Sequence, residues 1–180
     1  VYQEGKSDWR LTTGERKRIL LNSIHGVDID PQAVEVTKLS LLLKVLEEGR
    51  DVGGQSGFRL GERVLPDLGD NIQCGNSIVG EDIFSHLDLD LIRRDRQGIH
   101  TFEWDIRFPS VFNRERPGFD AVIGNPPYVL LQELDTPAIA EYLSGRYAAA
   151  QYKIDTYHVF FERATELLRD GGLLGLITPN

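Results

Sequence analysis

Gly124-Asn125-Pro126-Pro127-Tyr128, directly after the apolar run Phe119 to Ile123, is the stretch of this sequence with the most specific chemistry. Proline lacks a backbone N–H and fixes its own φ, so the strand cannot continue through the pair, and the carbonyl of Pro126 is left free to face a cleft. With the side-chain oxygen of Asn125 it makes two acceptors on a stiff turn. Two acceptors suit an amino group with two hydrogens. The exocyclic amine of adenine is such a group, and its lone pair is delocalised into the ring, which makes it a poor nucleophile. Accepting both N–H bonds favours a pyramidal nitrogen and frees the lone pair for an electrophile, an interaction stronger in the transition state than in the ground state. The proton can leave once the nitrogen is cationic, so no strong base is required first. Tyr128 is then placed to stack on a base swung out of a duplex, a contact worth about 1–3 kcal/mol. The plain alternative is a proline-stiffened linker or a polyproline ligand for an aromatic groove. Two prolines behind a buried-looking strand fit that poorly.

Two further turns carry polar groups. In Asp28-Ile29-Asp30-Pro31 an acidic side chain just after a strand can accept hydrogen bonds from both hydroxyls of a ribose. Asp30 also suits the N-cap of the helix that Pro31 opens, whereas Asp28 lies two residues before the cap position. In Gly75-Asn76-Ser77, Asn76 offers an amide whose oxygen or nitrogen could bind an adenine edge, and Gly75 permits close backbone approach. Taken alone, that tripeptide reads equally as a simple turn.

The elements that must position these turns follow from apolar spacing. Gly14 to Asn22 reads as a short helix and Ile24 to Ile29 as a buried strand. Val36, Leu39, Leu43 and Leu46 recur at helical spacing through Glu48. Gly49 to Gly61 is glycine-rich and polar, a flexible loop or insertion. Asn71 to Cys74 makes a second strand. Glu81 to Gly118 reads as a helix plus an irregular aromatic segment, with Phe102, Trp104, Phe108 and Phe112, inserted between core elements. Phe119 to Ile123 is the third strand, Thr136 to Ala150 a helix capped near Asp135, and Thr156 to Arg169 a helix that Asp155 caps and Asp170-Gly171-Gly172 stops. Leu173 to Ile177 is the fourth strand. Alternation of strand and helix predicts an open, mostly parallel α/β sheet with helices on both faces, where ligands sit at the carboxyl ends of the strands. The three polar turns occupy those ends.

At 180 residues, 41% hydrophobic and 27% charged, the chain fits one folded domain. Its net charge of −8 argues against a surface that binds polyanions unaided. No apolar run reaches the ~18 residues of a membrane helix. Cys74 stands alone and the four histidines are scattered, so neither a disulfide nor a metal site is expected, and the redox context reads as cytoplasmic. The start at Val1 and the end in a strand-to-loop transition read as a piece cut from something longer.

Gly26-Val27-Asp28-Ile29-Asp30-Pro31 with its helix, Cys74-Gly75-Asn76-Ser77, Phe119 to Tyr128 and Asp155 to Pro179 together resemble the N6-adenine DNA methyltransferases, and within them the large bacterial restriction-modification enzymes of Type IIG, which fuse modification and cleavage in one polypeptide. The resemblance covers most of the chain. It implies a Rossmann-like methyltransferase sheet, incomplete here, S-adenosylmethionine as methyl donor, and double-stranded DNA with a flipped adenine, held through a recognition region of the parent polypeptide. It further implies that Asp28 holds the ribose hydroxyls of the donor and Ile29 packs on its adenine. Asn76 stands where the family places a polar residue, often aspartate, against the adenine amine. Asn125, Pro126, Pro127 and Tyr128 form the catalytic turn, and Phe160 lines the donor pocket or, more simply, belongs to the helix core.

The sequence departs from the family in one respect. A glycine-rich turn around the methionine part of the donor should precede Asp28, and Val1 to Gly14 contains no such pattern. Residues 1–180 are therefore expected to be a partial methyltransferase domain with half a donor site, feeble or inactive alone, without the DNA-reading region or a nuclease. Two other readings stay open. Similar Asn-Pro-Pro-Tyr turns serve enzymes that methylate glutamine amides of proteins or guanine amines of RNA. A non-catalytic scaffold would use the aromatic insertion to contact a partner.

Overall fold

Strand-to-helix alternation is realised as a mixed α/β chain in the computed structural model, which describes residues 2–4, 8–47, 66–150 and 155–179. Two compact units result, one ending at Cys74 and the other beginning at Gly75.

In the first unit β1 (Tyr2–Glu4) and β2 (Asp8–Arg10) pair antiparallel. Then come α1 (Thr13–Ser23), β3 (Gly26–Asp28), α2 (Pro31–Glu47) and β4 (Ile72–Cys74). β4 lies parallel to β3, with Gly26 opposite Ile72 and Asp28 opposite Cys74. Thr12 caps α1 by accepting from the Glu15 N–H at 3.3 Å. At the other end of α1 no basic residue serves the last turn; instead the buried Asn71 amide donates to the carbonyls of Leu21 and Ile24, both at 2.9 Å. Leu20, Val45 and Leu68 form the small core.

α2 corrects the predicted apolar stripe. Val34 and Val45 are the buried positions, with Leu41 and Leu42 packed beside the core, whereas Val36, Leu39, Leu43 and Leu46 are exposed, Val36 by 63%. Apolar residues occur on two faces of this helix, so periodicity alone could not say which face the neighbours cover. The loop expected over Gly49 to Gly61 lies outside the described residues.

The second unit replaces the expected helix and irregular segment with four short helices, α3 (Ile83–His86), α4 (Leu89–Asp95), α5 (Trp104–Arg107) and α6 (Pro109–Phe112). Their boundaries have local causes. Asp88 caps α4 by accepting from the Asp90 N–H at 2.7 Å, and Pro109 at the start of α6 must end α5. Next are β5 (Phe119–Gly124), α7 (Pro137–Arg146), α8 (Thr156–Leu167) and β6 (Leu168–Leu176). α7 stops short of the predicted end and is followed by a 3₁₀ turn at Ala148–Ala150. Neither cap expected from an aspartate side chain forms: Thr136 and Asp155 hold the cap positions of α7 and α8 without a side-chain bond. The α7 Ala138 N–H is taken by Asp95 Oδ2 of α4 at 3.0 Å instead.

Asp170-Gly171-Gly172 does not stop α8 either. The helix ends at Leu167 and passes straight into β6, which contains all three residues. β6 pairs parallel with β5, Ala121 opposite Leu173 and Gly124 opposite Leu176; between the Phe119–Leu168 and Ala121–Leu173 pairs β6 advances further than β5, and Gly171, at φ 75°, lies in the excess. Gly118 is required where β5 begins. Its φ is 104°, and a Cβ there would sit 2.5 Å from the Arg169 backbone nitrogen.

The core of this unit gathers Ile83, Ala138, Leu143 and Val159, all at 0% exposure, around the tyrosines Tyr142 and Tyr147. Burying each of Ile83, Leu143 and Val159 contributes about 1.5–3 kcal/mol. The described strands pair two by two, as β1–β2, β3–β4 and β5–β6, rather than in one continuous sheet. Among the described residues no helix is long and apolar enough to cross a membrane, and no cluster of potential metal ligands occurs.

Candidate active site

The Asn125–Tyr128 turn leaves β5 and is fixed by residues far away in sequence. Gly124 accepts from the Ile177 N–H at 3.0 Å, extending the β5–β6 ladder one step past its last pair. The Tyr128 hydroxyl lies 2.9 Å from the Ile177 carbonyl and 3.2 Å from Asn125 Oδ1. It has one proton. The shorter contact takes it, which leaves Asn125 Oδ1 with acceptor capacity. Thr156, at the first turn of α8 and 2% exposed, donates its hydroxyl to the Pro127 carbonyl and its N–H to the Val129 carbonyl, both at 2.8 Å. Leu130 and Asp155 complete the join as an antiparallel bridge.

These ties give the two prolines different roles. Pro127 has its carbonyl consumed by Thr156, while the carbonyl of the buried Pro126 takes no hydrogen bond from any described residue. Two acceptors, Asn125 Oδ1 and the Pro126 carbonyl, are thus present in one turn. Asn125 is exposed and the Tyr128 ring is 47% exposed, so both face solvent rather than the core. Edge-on to Tyr128, at 6.2 Å between centroids, lies Tyr157, itself stacked on His158 at 4.0 Å.

At the foot of β5 the strand is pinned by charge. Asp120 accepts from Arg169 Nε at 2.5 Å and from Arg114 at 3.3 Å, and these hydrogen bonds, Arg169 first, hold its carboxyl below the ordinary 3.8. Burial would raise Glu166 on α8, but its bonds to Arg163 at 2.8 Å and Arg146 at 3.0 Å outweigh that and keep it below the ordinary 4.5.

The loop after β4 carries Asn76. Its Oδ1 accepts from the Ile78 N–H at 3.3 Å, so the turn reading is correct as far as it goes, and the amide hydrogens point away without a described partner. The Asn76 N–H donates to the His100 carbonyl at 3.1 Å, and the loop is held further along by the Tyr147 hydroxyl on the Ile78 carbonyl at 2.9 Å. Burial pushes that hydroxyl up to about 12, so it stays a donor at neutral pH.

In the first unit, Asp28 has more of a local role than its distance from the cap suggested. One of its oxygens accepts from the Asp30 N–H at 2.9 Å, and Asp30 in turn accepts from the Gln32 N–H at 2.8 Å as the cap of α2. The second Asp28 oxygen remains unengaged among the described residues. Ile29 is 56% exposed beside it, an apolar surface next to a carboxylate. A free carboxylate oxygen beside an open apolar side chain suits the ribose and base of a nucleoside. Phe160 packs, partly buried, against the core of the second unit.

Sequence reading missed Thr156, Ile177 and Tyr157. The first two act through a hydroxyl and a carbonyl on residues 29 and 49 positions away, which no local pattern announces.

Comparison with known proteins gives a consistent result. The model of the Eco57I restriction-modification methylase family matches residues 22–180. The chain is 29% identical over its whole length to the type II restriction enzyme and methyltransferase RM.Eco57I of Escherichia coli, covering 16% of that protein. It is 28% identical over 92% of its length to the adenine-specific methyltransferase PglX of Streptomyces coelicolor, covering 14% of it. A third of the chain is 46% identical to the type II methyltransferase M.PaeR7I of Pseudomonas aeruginosa, 33% of this chain and 10% of that one. The chain thus spans a small part of each relative.

Proposed function

The chain belongs to the Eco57I restriction-modification methylase family, and from that premise we propose that its polypeptide transfers a methyl group from S-adenosylmethionine to the N6 amine of adenine in double-stranded DNA, as the modification component of a type IIG restriction-modification system working in the cytoplasm. The observation that carries the reading is the Asn125–Tyr128 turn: an asparagine oxygen with spare acceptor capacity and an untied proline carbonyl, beside an exposed tyrosine ring whose hydroxyl is anchored at 2.9 Å. The parallel pairs β3–β4 and β5–β6, interleaved with helices, support a Rossmann-like methyltransferase fold.

The donor supplies an electrophilic sulfonium methyl. Asn125 Oδ1 and the Pro126 carbonyl accept the two N–H bonds of the target amine, hold the nitrogen pyramidal and so expose its lone pair. Pro127 keeps the turn stiff, and through its carbonyl it is fastened to Thr156. Tyr128 stacks on the extruded adenine, offsetting part of the unstacking cost of a few kcal/mol. Its anchored hydroxyl fixes the ring before the base arrives. Asp28 accepts from the ribose hydroxyls of the donor with its unengaged oxygen, and Ile29 packs on the donor's adenine. Asn76, whose oxygen is occupied by the Ile78 N–H, presents its amide hydrogens to that adenine, which suits a ring nitrogen better than the amine. Phe160 on α8, packed partly against the core, contributes to the donor pocket only with the part of its ring left uncovered.

The test is product analysis. The full-length polypeptide is incubated with methyl-tritiated donor and duplex DNA, and the DNA is digested to nucleosides. Label in N6-methyldeoxyadenosine is expected. Label in methylcytosine, or in protein and RNA but not in DNA, overturns the proposal.

A further inference from the structure

The aromatic segment that follows α4 is packed against the loop that carries Asn76. The Trp104 indole N–H donates to the Ser77 carbonyl at 2.9 Å, and the Phe102 N–H donates to the Val79 carbonyl at 2.8 Å. A Cβ on Gly75 would lie 2.6 Å from the Phe102 ring, so the loop backbone rests on that ring as closely as glycine permits. On its other side Trp104 meets Phe108 at 5.6 Å and Phe119, the first residue of β5, at 5.7 Å between centroids. Phe112 ends the aromatic row against Phe119 at 5.5 Å.

The geometry points to Trp104 as a positioning residue for the methyl donor: its indole N–H fixes the Ser77–Ile78 peptide, whose N–H is the one Asn76 Oδ1 accepts, and thereby aims the Asn76 amide at the donor's adenine. This rests on the donor role proposed for Asn76. Three features make a positioning role more specific than core packing. Trp104 is only half-buried, unlike Phe102 and Phe108 at 2% exposure each, so its polar edge rather than its burial distinguishes it. Its hydrogen bond crosses 27 residues to the one residue between Asn76 and the Ile78 N–H that Asn76 itself engages. The Ser77 carbonyl has no other described donor, so without the indole that peptide is held only from its N–H side, by Asn76 Oδ1 itself, and its tilt no longer fixes the Asn76 side chain.

Trp104→Phe keeps a ring among its neighbours and removes the donor. In the full-length enzyme with saturating duplex, the KM for S-adenosylmethionine and the Kd for S-adenosylhomocysteine are expected to rise about fivefold, the loss typical of one backbone-directed hydrogen bond. kcat at saturating donor and the Kd for DNA stay within twofold. Phe112→Leu is the packing control and is expected to leave donor affinity within twofold even where its Tm falls as far. If Trp104→Phe misfolds, β-(3-benzothienyl)alanine at position 104, which keeps the bicyclic shape and lacks the N–H, must reproduce the fivefold rise. Unchanged donor affinity in the Trp104 variant, or an equal rise in Phe112→Leu, overturns the positioning role alone. Unchanged donor affinity in Asn76→Ala overturns the donor contact itself, and the positioning role with it.

Discussion

Two turns at the carboxyl ends of parallel strands are built on opposite plans. The turn after β3 is secured by its own side chains, Asp28 to the Asp30 N–H and Asp30 to the Gln32 N–H, each bond spanning two residues. The turn after β5 holds almost nothing by itself; Thr156 and Ile177, 29 and 49 positions away, fasten its carbonyl and its tyrosine. On the proposed roles, a turn that only presents a carboxylate to a flexible sugar can be made locally. On the same proposal, a turn that holds two acceptors around a single nitrogen needs walls on several sides, because misplacement by about 1 Å at a reacting centre costs about 10²-fold in rate.

The largest effect should come from removing an acceptor of the second turn. Asn125→Ala in the full-length enzyme is expected to lower kcat by about 10²–10³, comparable to deleting one preorganised transition-state partner, while DNA binding stays within a few-fold. A kcat within tenfold of the parent in single-turnover assays would erase the difference in plan. Next, Thr156→Val preserves shape and removes the hydroxyl, leaving the Pro127 carbonyl unpaired at a cost of about 1–3 kcal/mol. Turnover is expected to fall about tenfold, measured beside a modest drop in Tm, with donor KM unchanged. Asp28→Asn probes the first turn more gently. Its amide oxygen can still accept from the Asp30 N–H, so Tm should hold, while donor KM rises about fivefold through loss of the charged acceptor. Equal loss of Tm and donor affinity would mean that the carboxylate serves only the turn.

The smallest effect separates the strands by pH. Arg169 and then Arg114 lower the folded-state pKa of Asp120 below its ordinary 3.8, so the group favours the folded state above that value and ceases to as pH falls through the lower folded one. The denaturation midpoint should therefore drop on acidification below about pH 4, and Arg169→Leu should flatten that drop, both read by circular dichroism in urea.

The same division governs what could be read from the sequence. The β3 turn, the capping by Asp30 and the break of β5 at Pro126 are local events, and their residues announce them. Strand and helix order followed the alternation of apolar runs. What failed was information carried by neighbours. α2 has apolar residues on two faces, and the face that spacing suggested, Val36 to Leu46, is the exposed one. Asp170-Gly171-Gly172 has the composition of a helix stop, yet pairing with β5 begins at Leu168, so the glycines became a strand irregularity. Asp135 and Asp155 looked like caps, but the Asp95 carboxylate and the Pro127 and Val129 carbonyls supplied partners from elsewhere. The aromatic insertion could be seen as a cluster, but nothing local joined Trp104 to Ser77.

The bridge between Leu130 and Asp155, with the Thr156 N–H on the Val129 carbonyl beside it, cinches the chain at a neck. α7 lies in the stretch of sequence between the bridged residues. α7 in turn returns Ala138 and Leu143 to the core beside Val159 of α8, so the closed segment packs the very helix that fastens the Pro127 carbonyl.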